Sequence, residues 1–278
     1  MVIDSHQHFW NYNPNEFGWI SEKMKILRRD FLPDDLKITI GKAGVDGAVS
    51  VQSRQSLEET IWLLQLAEEN DFIKGVVGWL PIADPVFRSK LESIAGKAKL
   101  VSLRHVIQDE PDPDFILAKD FSRGIDELSN LGLAYDILIY ENQLLNTISF
   151  VDQHPLQIFI LDHIGKPKIK KNLLSPWKEN ITELAKRENV YCKISGMVTE
   201  ADFTGWTKEQ LVPYFEICLN AFGCHRIMFG SDWPVCLLAA DYKDWFGIVK
   251  EFISKLSDDE QYNILFKNVI QAYNLKLS

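Results

Sequence analysis

Apolar and polar positions alternate along the chain between two periods. Short runs rich in Val, Ile, Leu and aromatic residues fall at 2–9, 46–52, 73–80, 100–107, 133–140, 156–163, 189–195 and 226–232. Longer stretches of helical character separate these runs, and several open on start signals. Ser56 with Glu59 and Thr207 with Gln210 have capping-box spacing, while Asp112-Pro113 and Ser175-Pro176 set proline just inside a start. Eight strands alternating with helices close most economically into a (β/α)8 barrel. A doubly wound open sheet would carry a glycine-rich first turn, and none follows the first run. The pattern therefore predicts an α/β fold, a TIM barrel spanning 1–278 as one domain. An extra C-terminal helix is expected from Ser257-Asp258-Asp259-Glu260, its stripe of Tyr262, Leu265, Phe266, Val269 and Ile270 packing on the barrel in a structural role.

Composition agrees with a soluble chain that buries a large core: 46% of the 278 residues are hydrophobic and 25% charged. A net charge of -9 repels phosphate backbones and anionic lipid surfaces. The densest basic run, Lys166-Pro167-Lys168-Ile169-Lys170-Lys171, is too short to reverse that, so neither nucleic acid nor membrane is an expected partner. Cys192, Cys218, Cys224 and Cys236 form no Cys-x-x-Cys pair and read as reduced thiols, which points to the cytoplasm. No signal peptide precedes the first run, and no stretch of about 18 apolar residues could span a bilayer. No heptad repeat marks an oligomer, so the oligomeric state is left open.

In such barrels the reactive groups sit at the carboxyl ends of the strands. Five runs end in polar chemistry there: His6 and His8, Gln52 and Arg54, Arg104 and His105, Asp162 and His163, and Asp232. His6 and His8 are two residues apart and project to one side of an extended strand. That spacing allows a metal clamp or an acid and base. Arg54 and Arg104 suit either a substrate or a loop-anchoring ion pair, Asp162 a site or a cap, and His105 a site or a packed, hydrogen-bonded ring. His154 and His225 precede strands and are expected to be structural.

Three strings carry a family resemblance: His6-x-His8, Leu161-Asp162-His163-Ile164-Gly165-Lys166-Pro167, and Arg226-Ile227-Met228-Phe229-Gly230-Ser231-Asp232-Trp233-Pro234. With them the chain resembles the amidohydrolase superfamily almost end to end. Arg104-His105 with Gln108-Asp109-Glu110-Pro111-Asp112-Pro113, and Lys193-Ile194-Ser195-Gly196-Met197-Val198-Thr199-Glu200, resemble its sugar-lactone hydrolase branch. That branch includes L-fuconolactonases, L-rhamnonolactonases and a pyrone-dicarboxylate lactonase. Binuclear members use a strand-4 lysine and a strand-5 histidine, and this chain has neither. The resemblance implies that no cofactor is required. His6, His8, His163 and Asp232 still form a donor set for one divalent ion such as zinc.

The expected chemistry is lactone opening, with Asp232 as general base that later returns the proton, and His6, His8 and His163 polarising the carbonyl. Asp232 is expected to favour a protonated imidazole near neutral pH. Gln52, Arg54, Arg104, His105 and Lys166 are candidate contacts to a sugar lactone, with Trp10 and Trp233 as walls and Trp79 in the core. Two other functions remain open: a mononuclear zinc hydrolase or decarboxylase of the same superfamily, and a catalytically silent barrel binding a sugar acid.

Overall fold

The structure, a computed structural model, describes residues 1–94 and 96–276. Eight strands pair in parallel in chain order: β1 (Ile3–Gln7), β2 (Gly47–Val51), β3 (Ile73–Gly78), β4 (Leu100–Val106), β5 (Ala134–Leu138), β6 (Phe159–Leu161), β7 (Val190–Ile194) and β8 (Ile227–Phe229). Each lies inside the apolar run that predicted it. Parallel strands are covered on both faces, so their sequences read as continuous apolar runs. The barrel closes between β8 and β1, where the Asp232 amide donates to the His6 carbonyl at 2.8 Å and the His8 amide to the Trp233 carbonyl at 2.7 Å.

Helices α1 (Pro33–Ala43), α2 (Leu57–Glu69), α3 (Phe87–Ile94), α4 (Lys119–Asn130), α5 (Leu144–Gln153), α6 (Trp177–Leu184), α7 (Lys208–Phe222) and α8 (Tyr242–Ile253) cross between and beyond the strands. Ser56 and Thr207 cap α2 and α7 as expected, accepting from the amides of Glu59 and Gln210. The reciprocal halves of both boxes are absent. Glu59 instead turns its carboxylate to the amides of Ser53 and Arg54, bracing the loop that carries Arg54. Pro176 stands directly before α6, but Asp112-Pro113 starts no α-helix. The Asp112 side chain takes the Asp114 amide in a local turn, and α4 begins only at Lys119.

Strand periodicity layers the barrel interior. Its floor is an apolar cluster of Ile3, Val49, Val77, Val101, Ala134, Ile160, Tyr191 and Met228. Two residues further along three strands the inward position is charged: Asp136 after Ala134, Asp162 after Ile160, Lys193 after Tyr191. The C-terminal segment, α9 (Asp258–Tyr262), a π turn (Asn263–Lys267) and α10 (Asn268–Tyr273), begins with a full Ser257–Glu260 capping box. It seats Val269, Ala272, Tyr273 and Leu275 in the floor. Phe266 and Ile270 pack against that cluster as the stripe predicted, whereas Tyr262 stays 37% exposed.

All four cysteines are free thiols. Among the described residues no helix is long and apolar enough to cross a membrane.

Candidate active site

A cavity of about 410 Å³ opens at the carboxyl ends of the strands. His8, Arg54, Arg104, His163, Lys166 and Asp232 line it, joined by Glu16, Trp19, Gln108 and Asp109. Val106, Leu138 and Val235 add apolar surface to it.

Three imidazoles converge at its base. The His6 ring centroid lies 4.9 Å from that of His8 and 4.5 Å from that of His163. His8 Nδ1 donates to the Val51 carbonyl at 2.8 Å, which turns its Nε2 toward the cluster. That Nε2 lies 3.1 Å from His6 Nε2 and 3.3 Å from Asp232 Oδ1. His163 Nδ1 pairs with Ser195 Oγ at 2.9 Å.

Unusual backbone places two of these groups. His163, Ile164, Gly165 and Lys166 all have positive φ, as does Asp232. For a β-branched residue such as Ile164 this is a genuine outlier, and each such residue costs about 1–3 kcal/mol. The turn aims His163 inward, against Gly196. A Cβ on Gly196 would stand 2.7 Å from His163 Nδ1, so only glycine admits the ring. Asp4, beneath the opposite side, accepts the Ser231 amide at 2.8 Å and the Tyr242 hydroxyl at 3.0 Å, bracing the turn before Asp232.

Burial governs the protonation of the rings. It lowers His6 well below the ordinary histidine range, outweighing attraction from Asp162, and it lowers His163 to about 4 despite Asp232 and Asp162. Both are therefore neutral near pH 7, contrary to the expectation that Asp232 would favour a charged ring at these positions. Burial alone would raise Asp232; the three surrounding histidines reverse this and hold it well below the carboxylate range. Arg104 sets a fixed positive charge at the base, its Nη1 contacting Asp162 Oδ2 at 2.8 Å and His6 Nε2 at 3.5 Å.

The remaining expected residues divide. Arg54 reaches the cavity and is ion-paired with Glu16, and Lys166 reaches it with Glu200 4.0 Å behind. Gln52 is buried and donates to the Arg104 carbonyl at 3.3 Å. His105 points away from the barrel axis, because it alternates with Arg104. It accepts from Trp79 Nε1 at 3.2 Å, contacts Glu110 at 2.6 Å and stacks on Phe115. Trp10 and Trp233 are buried and do not line the cavity. Trp10 instead packs edge-on against Trp19 at 5.8 Å. Trp19, 42% exposed, provides the aromatic wall. It lies on the segment between β1 and α1, where no periodic pattern marks it. Asp136 and Lys193 were hidden inside strand runs. His154 and His225 make structural contacts, to Asp126 and Ser122 and to Asn263.

The donor set suits one divalent ion. Nitrogens of His6 and His8 and an oxygen of Asp232 lie within 4.8 Å of one another, all buried. The His8 and His6 nitrogens that face each other there are both Nε2, 3.1 Å apart. His163 joins a second group with His6 and Asp162.

The amidohydrolase family model matches residues 3–275. An L-fucono-1,5-lactonase of Burkholderia multivorans is 38% identical over 98% of this chain and 96% of its own. An L-rhamnono-gamma-lactonase of Scheffersomyces stipitis is 27% identical over 62% of this chain and 58% of its own. The crystal structure of a Burkholderia multivorans amidohydrolase with bound zinc superposes with a TM-score of 0.96 at 37% identity, covering 99% of this chain and all of that one. With a barrel matched over its whole length and a histidine–aspartate cluster at its mouth, the chain belongs to the amidohydrolase family.

Proposed function

We propose that the protein opens a sugar lactone to its aldonic acid. The observation that carries this is a carboxylate held ionised at the base of a cavity, among imidazoles and a guanidinium, under walls that are partly apolar and partly hydrogen-bonding. The 38% identity to an L-fucono-1,5-lactonase makes that lactone the first substrate to test.

Asp232 takes a proton from water as its oxygen adds to the lactone carbonyl. The oxyanion is met by the Arg104 guanidinium and by His163, whose Nε2–H needs no net charge to donate when Ser195 donates to its Nδ1. Collapse breaks the acyl–oxygen bond, and Asp232 returns the proton to the departing ring oxygen. Arg54, Gln108 and Lys166 offer donors to the hydroxyls. The Trp19 indole, its plane set by the edge of Trp10, faces the apolar side of the sugar ring.

A second reading keeps this reaction and adds one ion at His6, His8 and Asp232, supported by the zinc in the similar Burkholderia multivorans structure. Such an ion would polarise the carbonyl and acidify water. A panel of sugar lactones assayed by proton release, with and without chelator, separates the two. Acid release untouched by chelator fits the metal-free reaction, and its loss fits the second. No release from any lactone overturns both.

A further inference from the structure

Beneath the imidazoles lies a fully buried charged layer that the reaction above does not use. Lys193 Nζ stands 2.5 Å from Asp136 Oδ2, 2.8 Å from Asp162 Oδ1 and 3.1 Å from His6 Nδ1. Its ammonium donates to Asp136 and to His6, while Asp162 Oδ1 faces it as an ion pair without a hydrogen bond. Asp136 is itself fixed by two hydroxyls: Ser102 donates to Oδ1 at 2.7 Å and Tyr273 to Oδ2 at 2.7 Å. Tyr273 comes from α10, the last helix of the chain, and its ring lies 5.6 Å from Lys193 Nζ.

This layer is a poor device for stability. Buried ion pairs commonly stabilise no more than apolar residues of the same volume, and the floor one step below is built of such residues. Its upper contact is a ring of the site. With Lys193 donating to Nδ1, the His6 ring hydrogen is on Nε2, directed at His8 Nε2 and the cavity base.

We propose that Tyr273, Asp136 and Lys193 form a positioning relay that carries the C-terminal helix into the active site and fixes the orientation and hydrogen placement of His6. Tyr273 and Asp136 touch no substrate. They hold Lys193, and Lys193 holds the ring that faces the carbonyl. The role of the relay in catalysis rests on the lactonase reading; its structural claim does not. The C-terminal helix, expected to be structural only, is then part of the catalytic unit.

The test is Tyr273→Phe, which removes one hydroxyl and keeps the ring in the floor. On L-fucono-1,5-lactone, kcat should fall about 10-fold while KM stays within about twofold, as when a partner of a site histidine is lost. The 15N resonances of His6 should shift between wild type and variant, while thermal unfolding shows that the variant is folded. Asp136→Asn should lower kcat further in the same pattern. Unchanged kcat in folded Tyr273→Phe with an unshifted His6 spectrum overturns the relay. If the wild type opens no lactone, the functional reading fails and the His6 spectra alone decide the relay.

Discussion

Asp232 Oδ1 lies 3.3 Å from His8 Nε2, across the seam where the last strand closes on the first. The same seam ties the Asp232 amide to the His6 carbonyl, so backbone closure and side-chain placement are one event. A carboxylate fixed this way lines the cavity beside His8. Asp232→Asn keeps the volume and removes the base. Turnover should drop about 10²–10⁴-fold in a variant that still folds but unfolds at a lower temperature, since a carboxylate held below its ordinary range contributes stability at neutral pH, read by steady-state kinetics and calorimetry. Near-normal hydrolysis by this variant would remove Asp232 from the mechanism.

Trp19→Ala should raise KM for a sugar lactone about 10-fold, since a stacked ring face contributes on the order of 1–2 kcal/mol. Trp19→Phe should recover most of that loss. Equal KM in wild type and Trp19→Ala would show that the exposed indole lies off the substrate path.

Gly196→Ala tests the close approach behind His163. The added Cβ meets the ring at 2.7 Å, at a residue with φ of 65°. Moving the ring breaks its contact with Ser195, and the account predicts a loss of about 10²-fold in kcat together with about 1–3 kcal/mol of stability. Full activity would mean that His163 tolerates displacement.

Protonation supplies two predictions of known sign. Histidine NMR should show His163 titrating near pH 4, because burial lowers it there. A step near 6.5 assigned to His163 contradicts its burial. His163 therefore contributes stability that is present above pH 6.5 and lost as pH falls toward 4.

Asp4 has the opposite sign. Burial raises it to about 6, against hydrogen bonds from Ser231 and Tyr242, so its contribution is present below about 3.8 and lost as pH rises through 6. Asp4→Asn removes that slope, on the order of 3 kcal/mol across the window. The unfolding temperature of the variant should climb more steeply from pH 4 to pH 6 than that of the wild type. Parallel curves would place Asp4 in a more polar setting than its contacts imply.

The barrel was legible because parallel strands must be apolar on both faces, which makes eight separate runs visible without reference to their helices. His6, His8, His163 and Asp232 were legible because polar residues break those runs where the strands end. Asp136 and Lys193 were not, since each sits one step inside an apolar run. There the period-two pattern alone could have flagged them as inward-facing charges. The same alternation separates Arg104 from His105, which residue type alone grouped together. Trp19 was beyond reach for another reason: it belongs to a loop without period, in which Phe17 and Phe31 each pack against Trp10. Trp10, chosen for its place after a strand, supports the wall rather than forming it.

Opening of L-fucono-1,5-lactone in 18O-enriched water, followed by mass spectrometry, reports where the water oxygen enters and whether Asp232 activates it. One 18O should appear in the carboxylate of the product, formed well above the spontaneous rate by the wild type and not by Asp232→Asn. Acid formation no faster than the uncatalysed reaction, or 18O appearing at the ring hydroxyl instead, would contradict the proposed reaction.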